Sequence, residues 1–258
     1  MPIPLHARQR PLRESEFQQI PWLSRLQPDE HERAVLDLRV GVAQPGEMIC
    51  RVGRPATYWF GVMDGLLKVS VLTLQGRTTT YTGIAPGGWF GEGTVIKQEP
   101  YRYDAQALRR SRIAGLPIAT FHWLLDHSIG FNRFVMEQLN ERVGQFIGTL
   151  SAERMSGPEQ RVAHSLLALT NPRLFHNVGR ELHITQQELA YLVGLSRQRV
   201  NLALRALASR GLVRVEYGRL RILDLPALRR LGADANPPDE DTRVARSKQG
   251  QNWIHINM

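Results

Sequence analysis

The spacing of hydrophobic and polar residues changes character twice along the 258-residue chain, and each change marks a different kind of element. From about Val40 to Leu116 short apolar runs are punctuated by glycine at Pro45-Gly46, Gly53, Asp64-Gly65, Gln75-Gly76, Pro86-Gly87-Gly88 and Gly91. Between them lie pieces such as Tyr58-Trp59-Phe60-Gly61-Val62 and the alternating Leu67-Lys68-Val69-Ser70-Val71. A period of two predicts strands with one buried face, and several short strands at turn-marked intervals predict a β-barrel or sandwich. Ahead of this region four prolines precede Trp22, so residues 1–20 read as an arm, and a short helix is expected around Pro28 to Leu38.

After Pro117 the period becomes helical, first over Ala119–Asp126 and then over about Phe131–Met155. In the longer segment Val135, Leu139, Val143, Phe146 and Leu150 recur at spacings of four, four, three and four, which draws one apolar stripe along the helix. Such a stripe needs a partner, either a second copy of the helix in a homodimer or the chain's own barrel. Gly144 and Gly148 weaken the helix but permit close approach. Gly157-Pro158 ends it and opens a further unit.

Residues 184–224 are the most informative. Thr185-Gln186-Gln187-Glu188 is a capping box that starts a helix running to about Val193, and Gly194-Leu195-Ser196 breaks it. Ser196 caps a second helix from Arg197 to about Ser209, closed by Gly211. Ala190 is small where the helices cross, Gly194 permits a tight turn, and Val200 returns to a core shared with Leu189, Val193 and Leu204. Downstream, Leu212–Glu216 and Leu220–Leu223 flank Tyr217-Gly218-Arg219 as a hairpin. This is the pattern of a winged helix-turn-helix. Its second helix would present Arg197, Gln198, Arg199 and Asn201, side chains whose forks match guanine and adenine edges in the major groove. Thr185, Ser196, Arg214, Arg219 and Arg221 are placed to meet phosphate, which positions a protein on double-stranded DNA without reading its sequence.

Charge supports that reading. Lys and Arg number 33 against 24 acidic residues, giving a net +9, and only Lys68, Lys97 and Lys248 are not arginine. Between residues 180 and 230 ten arginines face four acidic residues, so most of the surplus sits on the helix-turn-helix. No apolar run approaches the roughly 20 residues of a membrane span, and Met1 to Phe17 lacks a signal-peptide core, so a cytoplasmic protein with no membrane partner is expected. The single Cys50 excludes an internal disulfide and a four-cysteine metal or iron–sulfur site. Cys50 reads as a buried strand residue, and His122 and His127 as surface residues rather than a metal pair.

A glycine-punctuated roll, a long helix and a winged helix-turn-helix, in that order over roughly residues 20–230, resemble the bacterial Crp/Fnr family of transcription regulators. The most specific matches are Ile184–Ala190, Gly194–Asn201 and the Phe90-Gly91-Glu92 turn. The resemblance implies an α+β protein and no enzyme. It would comprise an arm (1–20), a double-stranded β-roll sensor like that of cyclic-nucleotide binders (21–128), a dimerisation helix (129–157), a winged helix-turn-helix (158–231) and a flexible tail (232–258). It gives Ser196 and Arg197 phosphate and guanine contacts, and RNA polymerase as partner if the protein activates. In cyclic-nucleotide binders the Gly-Glu turn holds the ribose and an Arg followed by Ser or Thr holds the phosphate. Gly91, Glu92 and Arg102 fit that effector pocket, but Tyr103 and Asp104 follow, and Phe146 and Ile147 align with the purine-contacting hydroxyls. Two readings of Arg102 stand: a ligand for cAMP or cGMP, or a structural partner of Asp104 or Glu92. The residues single out no cofactor besides the cyclic nucleotide of the first reading. The alternatives of another class are an enzyme on a cupin-like roll, which lacks the necessary histidines, and a ligand-sensing adaptor that does not bind DNA.

Overall fold

The computed structural model describes residues 9–72, 78–155 and 157–233. The chain opens with β1 (Arg10–Pro11), two 3-10 turns (Glu14–Gln19 and Leu23–Arg25) and α1 (Pro28–Asp37). Six strands follow: β2 (Arg39–Ala43), β3 (Met48–Cys50), β4 (Tyr58–Asp64), β5 (Leu67–Leu72), β6 (Thr78–Ile84) and β7 (Trp89–Phe90). Helix α2 (Glu92–Lys97), β8 (Asp104–Ala107) and β9 (Ser111–Pro117) complete the roll, and α3 (Ile118–His127), α4 (Ile129–Met155) and α5 (Pro158–Leu169) lead away from it. The C-terminal unit adds β10 (Glu181–Leu182), α6 (Gln186–Val193), α7 (Arg197–Ser209), β11 (Val213–Glu216), β12 (Arg219–Ile222) and α8 (Leu225–Ala233).

Two antiparallel sheets, ordered β1-β2-β9-β4-β7 and β3-β8-β5-β6, form the roll. Alternation along β4 and β5 sends Phe60, Val62, Leu67 and Val69 inward to meet Ile84, Phe90 and Ile113. At the Asp64-Gly65 turn, Gly65 has φ +107°, and a Cβ there would lie 2.1 Å from Ser111 Oγ, so the turn admits only glycine. On the outer face of the five-stranded sheet Trp22, Trp59, Trp89, Phe121, Phe131 and Phe134 pack together, with Trp22 edge-on to Trp89 at 5.2 Å.

That aromatic layer divides the apolar stripe of α4. Phe131, Phe134 and Val135 are buried on the roll and Leu139 is half-buried there, whereas Met136 and Val143, 60% and 56% exposed, face away. The predicted single seam is therefore two faces, because the tryptophan cluster captures the helix's first turns. Phe146 is 38% exposed, and the Leu150 side chain lies outside the described residues. The expected arm also departs from expectation within its described part. β1 pairs with β2, and Leu12, Glu16 and Ile20 are buried. Pro11 sits on an edge strand where no further amide is needed, and the polar Glu16 is held inside by Arg10 and Arg112. The tail lies outside the described residues from 234 onward, while Leu225–Ala233 is a helix rather than its beginning.

In the C-terminal unit Val162, Leu166, Leu189, Val200, Leu204 and Leu207 form a core, and β10-β12-β11 makes a three-stranded wing sheet. This core is continuous with the roll interior. Phe175 fills the space beside Gly88, and Leu169 and Leu192 come within 3 Å of where a Cβ would stand on Gly83. The helix-turn-helix is thus docked on β6.

Candidate nucleic-acid interface and ligand cavity

Helix α6 begins as its capping box requires. Thr185 Oγ1 accepts from the Glu188 amide at 3.1 Å, and the Thr185 amide donates to Glu188 Oε2 at 2.7 Å. It ends at Gly194, whose φ of +67° makes the left-handed turn into α7. There Ser196 Oγ accepts from the Arg199 amide at 3.3 Å. Because α7 buries Val200, Ala203, Leu204 and Leu207, the opposite face points out. At roughly 100° per residue, Gln198, Leu202 and Arg205 occupy the middle of that face, with Arg197 and Arg199 on its two flanks and Asn201 beside Gln198. Arg197, Gln198 and Arg199 are exposed and Asn201 is half-buried. Leu202 and Arg205 are exposed on the same face but are absent from the predicted contact set, although Arg205 stands seven residues after Gln198 and so on the same stripe.

Arg197 also borders a cleft of about 390 Å³ between the start of α6 and the wing, lined by Thr185, Gln186, Tyr217 and Arg219. The wing turn is Tyr217-Gly218, with Arg219 already in the strand opposite Glu216, and the Tyr217 side chain is fully exposed. Arg214 and Arg221 are exposed and directly opposed across β11 and β12. Like charges at that spacing repel, and an anion laid across them would relieve the repulsion. Arg219 Nη1 lies 3.5 Å from Glu181 Oε1, so this arginine shares its charge with a neighbour.

The docked contact with the roll uses other residues. Arg109 Nε stands 3.3 Å from Glu188 Oε1 without hydrogen-bond alignment, and its Nη2 donates to the His183 carbonyl. Lys68 lies over the Tyr191 ring at 5.8 Å, and within the C-terminal unit Arg161 of α5 donates to the Val193 carbonyl at 2.8 Å.

Gly91, Glu92, Arg102 and Tyr103 all line one cavity of about 320 Å³ between the roll and α4. Glu92 is 3% exposed, and its Oε1 accepts from Arg142 Nε at 2.9 Å; Arg142 Nη2 donates to the Trp89 carbonyl at 2.6 Å. Arg142 was not legible, since it comes from α4, fifty residues from Glu92. Arg102 pairs with neither Asp104 nor Glu92, which corrects the structural reading of it. It is 74% exposed and reaches Glu99 at 2.8 Å, while Asp104 accepts from the Val52 amide. The physical reason is that Arg142 already neutralises Glu92 inside, leaving Arg102 to the surface acid three residues before it. Tyr103 leans over the Gly91 turn, its hydroxyl 3.7 Å from where a Cβ would stand on Gly91, and burial pushes its phenol well above the usual range.

Cys50 is buried in β3, and burial holds its thiol up at about 12, so it stays protonated. His122 is half-buried and bonded to the Val95 carbonyl, and His127 stacks on Trp123. Among the described residues no cluster of three His, Cys, Asp or Glu side chains is placed to hold a metal ion, and no helix is long and apolar enough to cross a membrane.

Comparison with known proteins places both halves. Residues 42–128 match the cyclic nucleotide-binding domain and residues 160–231 the Crp-like helix-turn-helix domain. The transcriptional regulator SdrP of Thermus thermophilus is 29% identical over 177 residues, 67% of this chain and 82% of that protein. The CRP-like cAMP-activated global transcriptional regulator of Mycobacterium tuberculosis is 27% identical over 190 residues, 72% of this chain and 84% of that one. The solved structure of FixK2 from Bradyrhizobium japonicum, 19% identical, shares the fold at a TM-score of 0.63 over 76% of this chain and 98% of its own. With a β-roll, a long helix and a capped helix-turn-helix bearing a wing in that order, this chain belongs to the Crp/Fnr family of transcription regulators.

Proposed function

We propose that the protein is a cytoplasmic homodimer that reads a pseudo-palindromic duplex, each copy placing α7 in a major groove. One observation carries this reading. The Ser196-capped first turn of α7 holds Arg197, Gln198 and Arg199 out from the surface, within the most basic part of the chain. Arg197, Gln198, Arg199 and Asn201 then contact base edges. Thr185, Ser196, Arg214, Arg219 and Arg221 contact phosphate, with the opposed Arg214 and Arg221 gaining most from an anion. The outward face of α4, with Met136 and Val143 exposed and Phe146 at its edge where it also borders the cavity, is the surface we assign to the second copy. Where such a regulator activates, RNA polymerase is its further partner. An adaptor without DNA contact would have no use for a basic, amide-bearing helix start of this kind, and an enzyme on the roll would need a catalytic cluster in the cavity, whose carboxylates Glu92 and Glu99 are instead each paired with basic side chains.

Selection of bound duplexes from a random library at fixed salt tests the reading. An enriched two-fold-symmetric motif with half-sites about 34 Å apart is the expected result, and no enrichment under any effector condition overturns it. Arg197→Ala should cost about 1–3 kcal/mol and relax one base position in each half-site. An unchanged preference at every position would remove Arg197 from the reading set.

A further inference from the structure

The cavity between the roll and α4 is built differently from a phosphate site. Its walls are Val69, Ile84, Phe90, Leu139 and Phe146. Its one buried carboxylate is already matched by one guanidinium, Arg142, so an entering molecule meets a neutral pair rather than a bare charge. Only Oε1 of Glu92 is engaged, however. Oε2 is buried with no hydrogen-bond partner among the described residues, an arrangement that is unfavourable until a donor reaches it.

The groups that would receive a cyclic phosphate are turned to other uses. Arg102 and Lys97 both reach Glu99 at the mouth, at 2.8 and 3.2 Å, and Arg102 is mostly in solvent. The corner above Gly91 holds the Tyr103 ring, a neutral phenol where an anion needs a cation or clustered amides. A phosphate entering there would be desolvated without a fixed counter-charge, which disfavours its entry.

We propose that this cavity takes an uncharged, largely apolar molecule that donates one hydrogen bond to Glu92 Oε2, and that cyclic nucleotides do not occupy it. The volume of about 320 Å³ suits a small ligand of two or three rings or the equivalent chain. The consequence for control rests on the regulator reading above. Tyr81, Thr82 and Ile84 of β6 line the cavity, and Gly83 between them bears on Leu192 of α6, so an occupant sits one strand away from the helix-turn-helix.

The test titrates the full chain with N-phenyl-1-naphthylamine, an uncharged two-part aromatic with one N–H, and follows its emission. Saturable, blue-shifted binding unaffected by millimolar cAMP is expected. It should weaken at least about tenfold with 1-benzylnaphthalene, which replaces the N–H by a methylene, assayed by competition. Gly93→Phe supplies the site control, because Gly93 lines the cavity and a Cβ there meets nothing within 4 Å; its fold is checked by circular dichroism. Binding should be lost in Gly93→Phe and kept in Gly93→Ala. Displacement of the probe by cAMP, equal affinity for the two naphthalenes, binding indifferent to Gly93→Phe, or no binding at all would each overturn the proposal. Duplex binding by the same preparations is measured separately, so a chain that holds the probe but selects no DNA refutes the regulator reading and leaves the cavity assignment standing.

Discussion

At the scale of single residues, two buried carboxylates, Glu92 and Glu16, are each held by arginine. Glu92 is held by Arg142 of α4, and Glu16 by Arg10 at 2.7 and 2.5 Å and by Arg112 of β9 at 3.1 Å. The two differ in accessibility. The Arg142–Glu92 pair is enclosed, so removing either partner leaves an uncompensated buried charge and costs about 3–5 kcal/mol. Arg10 is one-third exposed and its pair can be titrated. The Arg10 hydrogen bond, aided by the Arg13 amide, holds Glu16 down from 4.5 to about 2. A depressed carboxylate contributes stability that is complete above its unfolded value and is lost as pH falls through the folded one. Here that window runs from about pH 4.5 down to about 2, and the contribution is on the order of 2 kcal/mol after screening at Arg10. Glu16→Gln should therefore be less stable than the parent above pH 4.5, with the two denaturation curves converging near pH 2. Parallel curves across the whole range would show that Glu16 does not hold its arginines in this way.

At the scale of elements, legibility follows the distance over which the determining contact acts. The α6-turn-α7 unit was readable to the residue because its signals are local: the Thr185–Glu188 box, the left-handed Gly194 and the Ser196 cap all act within three or four positions. The wing was readable from alternation, with its turn one residue shorter than the text suggested. By contrast, the split of the α4 stripe, the ordered strand at Arg10–Pro11 and the Arg142–Glu92 pair depend on partners far away in the sequence, and no local period announces them. The pocket residues Gly91, Glu92, Arg102 and Tyr103 were found together, yet the direction Arg102 takes was decided by Arg142, which was not in view. The cap itself can be separated from its second role. Ser196→Ala should lower the stability of the folded chain by about 1 kcal/mol and Ser196→Gly by only a few tenths, measured by denaturant unfolding. Both variants lose the hydroxyl, so a phosphate contact predicts equal losses of duplex affinity from the two. Affinity that instead follows stability would leave Ser196 as a cap alone.

At the scale of the whole molecule, the roll and the helix-turn-helix share one apolar cluster, which raises the question of what their contact does to DNA reading. The contact surface is α6 against β6, through Leu192 at Gly83, Glu188 near Arg109 and Tyr191 under Lys68. The face of α7 that carries Arg197, Gln198 and Arg205 lies on the other side and is exposed, so docking orients the reading helix without covering it. Preorganisation of this kind strengthens binding by removing the cost of ordering one unit against the other. A side chain at Gly83 would press on Leu192 Cδ1 at 2.8 Å and Leu169 Cδ2 at 2.9 Å, both ends of flexible groups, so Gly83→Val loosens the contact while each unit keeps its own core. Duplex affinity should then fall by up to about tenfold, equivalent to 1.4 kcal/mol, with the same base preference at every position. The radius of gyration in solution should rise at the same time. A gain in affinity would mean that the docked arrangement restrains the reader, and a change in base preference would mean that α7 itself had moved.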